Sequence, residues 1–332
     1  MSTKNKLKFN IMKQKTSYVI YFLMLLAMAF GSCQKDLVTY PKGTTVTVST
    51  VAKGYYDWIT VDKTGNTYAL KLNYGTPDTI YKIDATGNRS AFYTVPVTMD
   101  HDTVVVNPLD FLSIDSLNNI YTVQYSTAAF KSPAIIKITT DGTASTLFTN
   151  FSAYGGLAIQ KLLVSNGNIY FNDGDGLHKI TAGGSSSVLL SYVYAFAVGP
   201  DGSIFYPVYN ASNQIDITQL SPSGTKTIIA GPDRSVNLSA TESFDQLVDL
   251  SSDNAGNIYT SESSNTVATI HRIAASTDVV TKIISTPYGQ VDGPLATAQI
   301  SIAFSLATNS TGLYFTERTA ATPDIRKITI NK

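Results

Sequence analysis

The chain has 332 residues, enough for two average domains or one large all-β domain, and 43% are hydrophobic against 14% charged, so a substantial core can form. Formal net charge is zero, but residues 1–32 hold five lysines and no acid, which leaves 19 basic residues against 24 acidic ones in the remainder. Nucleic-acid binding needs a basic footprint that displaces phosphate counterions, so that class of partner is excluded. Twenty Tyr and 14 Phe beside three His and one Trp favour strands over helices.

The amino-terminal lysines lead into an apolar run from Tyr18 to Phe30, too short to span a bilayer comfortably. A basic stretch followed by a short apolar one predicts a signal peptide over residues 1–32, and Met12-Lys13-Gln14-Lys15 could begin such a peptide by itself. Gly31 and Ser32 then precede Cys33, the single cysteine, which excludes an intramolecular disulfide framework. This ending resembles a bacterial lipobox, although Phe30 stands where that motif usually has Leu or another aliphatic residue. The resemblance implies a diacylglyceryl group on the Cys33 thiol and cleavage before it. An ordinary secretory signal with an incidental cysteine is the alternative. Gln34-Lys35-Asp36 resembles the export tag of surface-exposed lipoproteins in some Gram-negative bacteria. Residues 33–43, with Pro41 and Gly43, read as a lipidated tether. The expected location is a bacterial cell envelope, anchored at the outer membrane, with surface display implied by the tag.

From residue 44 onward a short motif recurs six times: a turn, often Gly-Asn, then an apolar residue and an aromatic one. Its anchors are Tyr68, Tyr121, Tyr170, Phe205, Tyr259 and Tyr314, spaced by 53, 49, 35, 54 and 55 residues. A second motif follows each anchor: Tyr81-Lys82-Ile83, Ile136-Lys137-Ile138, His178-Lys179-Ile180, Thr218-Gln219-Leu220, His271-Arg272-Ile273 and Arg326-Lys327-Ile328. Apolar runs such as Trp58–Val61 and Phe111–Ile114 precede the anchors, and several units reach a fourth strand after a Gly turn. Four short strands per unit, with turns that need positive φ, predict propeller blades. The lysine of the second motif is expected as a solvated stem beside a buried aliphatic residue. The last unit lacks a fourth strand, and the alternating segment Thr44–Val51 lacks a partner. Pairing them closes a six-bladed, all-β propeller over residues 44–332 and removes an edge. The short spacing into Phe205 makes the fourth blade the least regular.

The units resemble NHL repeats, most closely at Gly289-Gln-Val-Asp292-Gly293-Pro-Leu-Ala-Thr-Ala298-Gln-Ile300. That family commonly carries an Asp-Gly…Ala stretch between one blade's outer strand and the next blade's inner strand. Six-bladed propellers include gluconolactonase-like enzymes, peptide-amidating lyases and pure binding modules, and the fold does not choose among them.

Catalytic signatures such as a Gly-x-Ser-x-Gly elbow, His-Glu-x-x-His or a phosphate-binding loop do not occur in the sequence. His178 and His271 share one repeat position and read as packing residues. His101, flanked by Asp100 and Asp102, reads as a solvated loop residue. Asn172-Asp173-Gly174-Asp175-Gly176 lacks the Glu that a calcium loop needs, since Gly184 stands twelfth from Asp173, and it reads as a tight turn. Alignment of the inner strands places Asp57, Asp110, Gln160, Tyr194, Val248 and Phe304 at the channel mouth, with Asp249 one residue further along. No cofactor is expected, and the site is expected to bind a small polar ligand, a peptide or a protein partner. Tyr55, Tyr56, Tyr154, Tyr192, Tyr194 and Tyr288 offer contact area at modest entropy cost. The alternative is a metal-dependent hydrolase or lyase of the gluconolactonase-like kind, with Asp57 and Asp110 on a divalent ion. A structural subunit of a larger envelope complex is a third reading.

Overall fold

The two recurring motifs are the two halves of one cross-strand pair. Tyr68 faces Lys82, Tyr121 faces Lys137, Tyr170 faces Lys179 and Tyr314 faces Lys327. In each pair the ammonium lies over the ring, 5.0 to 5.8 Å from its centroid. The lysine is therefore not the free solvated stem that the alternation suggests. Its charge meets the ring face, worth about 0.5–1 kcal/mol per pair at such half-exposed sites. Tyr259 opposite Arg272 and Phe205 opposite Gln219 complete the series in the remaining two units.

A computed structural model describes residues 44–73, 76–100, 103–105, 107–125, 133–149, 151, 159–173, 175–234, 244–318 and 324–331. The signal peptide, Cys33, the tether, His101, Asp102, Tyr154 and Gly174 lie outside the described residues. Within them the chain is all-β, and six antiparallel sheets form the blades of a propeller. The inner strands are Trp58–Val61, Leu109–Ile114, Lys161–Ser165, Ala197–Val198, Gln246–Ser252 and Ile302–Asn309. The fourth blade is complete despite its short spacing. The shortfall falls on its inner strand, which is two residues long.

The first turn of a blade is built by an aspartate four residues before the Asn of the Gly-Asn motif. Asp62 Oδ1 accepts the backbone N–H of Thr64 and of Asn66, both at 2.9 Å, and Asp62 Oδ2 accepts Asn66 Nδ2 at 2.7 Å. Asp115 and Asp253 repeat these three bonds with Leu117 and Asn119, and with Ala255 and Asn257. The positive φ that the turn requires falls on Gly65 and Gly256, and on Asn118 in the second blade.

Six hydrophobic clusters account for the ring. Leu70 and Ile80 of the first blade pack with Ile120 and Ile136 of the second. Val123 and Ile135 meet Leu162 and Phe171 of the third, and Tyr170 and Leu177 meet Ile204 and Tyr206 of the fourth. Ile217 and Ile229 meet Leu250 and Ile273 of the fifth, and Ile270 and Ile284 meet Phe315 and Ile328 of the sixth. The last seam joins Tyr314 and Ile325 to Ile59 and Ile83 of the first blade. Each sheet thus buries both faces against a neighbour, which a single blade cannot do.

Closure follows the expected pairing. Thr45–Ala52 lies antiparallel to Ile325–Asn331, with Thr45 opposite Asn331 and Ala52 opposite Ile325. On its other side the same strand pairs with Gly293 and Pro294. Asp292, of the Asp-Gly stretch, accepts Thr50 N at 3.0 Å, Thr50 Oγ1 at 3.1 Å and Arg326 Nη2 at 2.9 Å. Arg326 is 1% exposed and its Nη1 also donates to Glu317, which is fully buried. The conspicuous Asp-Gly sequence therefore fastens the amino-terminal strand into the last blade.

Candidate functional site

The inner strands begin at one end of the ring, here the upper end, and turn at the Asp-capped corners of the lower end. Bulges in three of them aim the mouth side chains. The registers shift between Asp110 and Ser113, between Leu247 and Asp249, and between Ala303 and Leu306. In the second strand the bulge puts Phe111 at φ 58°, a left-handed conformation that costs a non-glycine residue energy.

That conformation places the Phe111 ring 4.3 Å from the ring of Trp58, whose other neighbour is Phe304 at 4.9 Å. The three rings floor the mouth. The Arg318 guanidinium stacks on Phe304, its Cζ 3.2 Å from the ring centroid. Beside this floor stand Asp57 and Asp110, on adjacent blades as the alignment expects, and both half-buried. Burial pushes the Asp57 carboxyl above its ordinary range, and its Oδ2 is buried without a hydrogen-bond partner. Asp110 is pushed up to about 6, chiefly by burial, with the Asp57 charge adding to the rise. The Trp58 indole and the Phe111 N–H, 3.1 Å from Asp110 Oδ1, oppose the rise by favouring the charged form.

The opposite arc departs from the expected mouth. Asp249 is only 7% exposed and is committed to structure. Lys161 of the third blade reaches the fifth, its Nζ 2.5 Å from Asp249 Oδ1 and 2.6 Å from the Leu250 carbonyl. Asp249 Oδ2 also accepts the Leu306 N–H of the sixth blade at 2.9 Å. This ion pair ties three blades together inside the channel. Val248 is the extra residue of the bulge, which explains the one-residue offset of Asp249. Gln160 accepts Asn172 Nδ2 at 3.2 Å, and Tyr194 stacks on Tyr209 with centroids 6.2 Å apart.

Of the other tyrosines, Tyr192 is 84% exposed and adopts φ 55°, and Tyr55 is 58% exposed. Tyr56, expected in a loop, is a core residue at 2% exposure, with its hydroxyl accepting Arg89 Nη1 at 3.1 Å. Tyr288 is half-buried and donates to the Ser264 carbonyl. His178 and His271 are buried, as packing residues should be, and each also meets a buried carboxylate. His178 Nε2 lies 3.0 Å from Asp173 Oδ1, and His271 Nδ1 lies 2.7 Å from Glu262 Oε1. Asp173 caps a turn, accepting the N–H of Asp175 and of Gly176. Trp58, Phe111, Arg318 and Lys161 are mouth or channel residues that sequence alignment missed. The usable signal was the recurrence of Asp followed by an aromatic, at Asp57-Trp58 and Asp110-Phe111.

At the lower end a funnel of ≈ 560 Å³ is lined by the corner residues, among them Asp62, Asp115, Asn166, Asp253 and Asn309. The carboxylates of Asp62, Asp115 and Asp253 are engaged by their own turn donors. A divalent cation of the hard kind wants about six oxygen ligands. Among the described residues no three His, Cys, Asp or Glu side chains converge to hold one. Asp57 and Asp110 alone do not make such a site, because Asp249 and Gln160 are turned to other partners.

Neither a protein-family model nor a curated protein sequence matches the chain. Solved structures do. A PQQ-bound aldose sugar dehydrogenase from Streptomyces coelicolor superposes with a TM-score of 0.56 at 13% identity, covering 88% of this chain and 100% of that one. A gluconolactonase from Xanthomonas campestris gives 0.53 at 12% identity, over 86% and 89% of the two chains. An oligogalacturonate lyase in complex with manganese gives 0.52 at 11% identity, over 80% and 74%. The likeness is one of fold. The chain is a six-bladed β-propeller whose structural neighbours include sugar dehydrogenases, gluconolactonases and lyases.

Proposed function

We propose that the protein is a lipid-anchored binding module of a bacterial cell envelope, made of NHL-like repeats and held at the outer membrane through Cys33. Its upper mouth takes a small polar ligand or a peptide side chain. One observation carries the reading: two carboxyl groups, Asp57 and Asp110, are held partly desolvated beside the Trp58–Phe304 floor, and Asp57 Oδ2 lacks a donor. A buried acceptor without a partner is costly. A ligand group that donates hydrogen bonds supplies what is missing, while its apolar part covers the rings.

Trp58 is the only tryptophan of the chain, so its emission reports on the mouth alone. The mature chain is titrated with butylammonium, lysine amide, a Lys-containing tripeptide, glucose, calcium and manganese, and the purified protein is analysed for metal. The expected result is a saturable change in Trp58 emission with an amine or peptide, lost in the Asp57→Asn, Asp110→Asn double variant. A stoichiometric divalent ion that is lost in Asp57→Asn would replace this reading with the metal-dependent hydrolase or lyase. Indifference of Trp58 to every probe would remove the mouth as a binding site. Anchoring is tested separately, by radiolabelled palmitate incorporation that disappears in Cys33→Ala.

A further inference from the structure

The direction of the closing strand decides which end of the ring carries the tether. Thr45–Ala52 is the outer strand of the sixth blade, and its first residue pairs with Asn331, the last residue of the neighbouring strand. That neighbour runs from the upper end at Ile325 to the lower end at Asn331. The chain therefore enters the ring at the lower rim and climbs to the upper rim, where Gly54 N bonds Asp324 Oδ1 at 3.1 Å before the chain drops into the first inner strand. The strand is held on both edges, by Ile325–Asn331 and by Gly293-Pro294, and by Asp292 through Thr50. It does not peel away to free a longer leash.

We infer that the protein stands on its membrane with the lower, corner-turn face toward the lipid and the Asp57–Trp58–Asp110 mouth turned away from it. The inference rests on the lipid anchor proposed above. From Cys33 to Thr44 there are 11 residue steps, which span at most about 40 Å when fully extended. To turn the mouth toward the bilayer, the tether would first have to run the length of the closing strand, about 27 Å for eight residues. Most of its reach would then be spent on the flank of the ring.

The lower face carries charges of both signs, with Lys63 and Lys137 beside the corner aspartates. Asp84 is held down at about 2, first by the Thr86 hydroxyl and then by backbone donors, and Asp141 is lowered by Thr139 in the same way. Burial raises Asp62 and Asp115, but their Asn donors outweigh it, and both carboxyls stay below the ordinary range. These corners therefore stay negatively charged at neutral pH.

The chain has one cysteine, consumed by the lipid, so an introduced cysteine is a unique label. Asn265 and Ser276 are exposed and lie at the upper and lower ends of the same strand of the fifth blade, Val267–Ile273. Asn265→Cys and Ser276→Cys variants are labelled with a donor dye and reconstituted, as the lipidated full chain, into phosphatidylcholine vesicles that carry an acceptor dye on the lipid. Energy transfer is expected to be at least twofold greater from position 276 than from position 265. Equal or reversed transfer overturns the inference. A parallel arm attaches the chain from residue 34 onward to a chelating lipid through an amino-terminal hexahistidine. If the full chain washes off the vesicles while this arm keeps the expected asymmetry, the anchor proposal fails and the geometry stands. If the arm shows none, the geometry fails.

Discussion

Replacing Asp110 by Asn should make the protein more stable at neutral pH and leave it unchanged at low pH. Burial raises the folded-state carboxyl from the ordinary 3.8 to about 6. Below pH 3.8 the folded and unfolded chains both carry the proton, and the group contributes nothing. Between 3.8 and 6 the unfolded chain releases its proton first, so ionisation favours unfolding progressively. Above 6 the whole penalty is present, at most about 3 kcal/mol for a displacement of that size. An amide keeps an oxygen for the Phe111 N–H and has no charge to desolvate. At roughly 2 cal/mol/K of unfolding entropy per residue over about 290 residues, the full penalty corresponds to a Tm increase of roughly 5 °C. Scanning calorimetry of the two proteins at pH 7.5 and pH 4.0 tests this. The gain should appear in full at the higher pH and shrink to roughly a fifth of it at the lower one. Trp58 emission in the unsubstituted protein should titrate near pH 6, and the titration should be lost in the variant. A variant that is less stable at pH 7.5, or that gains equally at both values, would refute the account of Asp110 as an acid kept at a cost for the sake of the mouth.

Arg326→Met leaves the buried Glu317 without its counter-charge and should cost about 3–5 kcal/mol in urea denaturation. Loss of the arginine also frees Asp292, so limited proteolysis should attack the closing strand first. Lys161→Met strands Asp249 in the channel and should cost about 2–3 kcal/mol, with part of the loss recovered in the Lys161→Met, Asp249→Asn double variant because the charge is then gone. Full additivity of the two changes would mean that the pair does not interact. Tyr192→Gly should raise stability by about 1 kcal/mol in the same assay, since glycine accepts φ 55° freely and the ring is 84% exposed. A loss of stability there would show that the ring packs in solution.

The ring was legible in the sequence because its determinants are local. Gly65-Asn66-Thr67-Tyr68 and its five counterparts state a turn and a strand in four residues, and the unpaired Thr44–Val51 segment announces closure. The mouth was half legible. Asp57 and Asp110 align because their strands start in the same way, but a bulge at Val248 moves Asp249 off the common register, and nothing in the residue pattern marks where a bulge falls. Lys161 and Asp249 lie 88 positions apart, so their contact follows only from ring geometry. The cross-strand cation–aromatic pairs were visible as two separate motifs, and their conjunction required the register. Tyr56 was misplaced because an exposed loop and a buried connection have the same composition at this length.

The closing blade has a consequence for the order of events during biogenesis. Thr50 and its partner Asp292 are separated by 242 positions, so the residues that flank Thr45–Ala52 are synthesised long after it. Until then this alternating, β-branched segment has no native neighbour and can add to any exposed sheet edge, including one on another copy. Slow completion is then a property of the architecture, and early release of a shortened chain would yield an open, adhesive fragment in place of a smaller working protein.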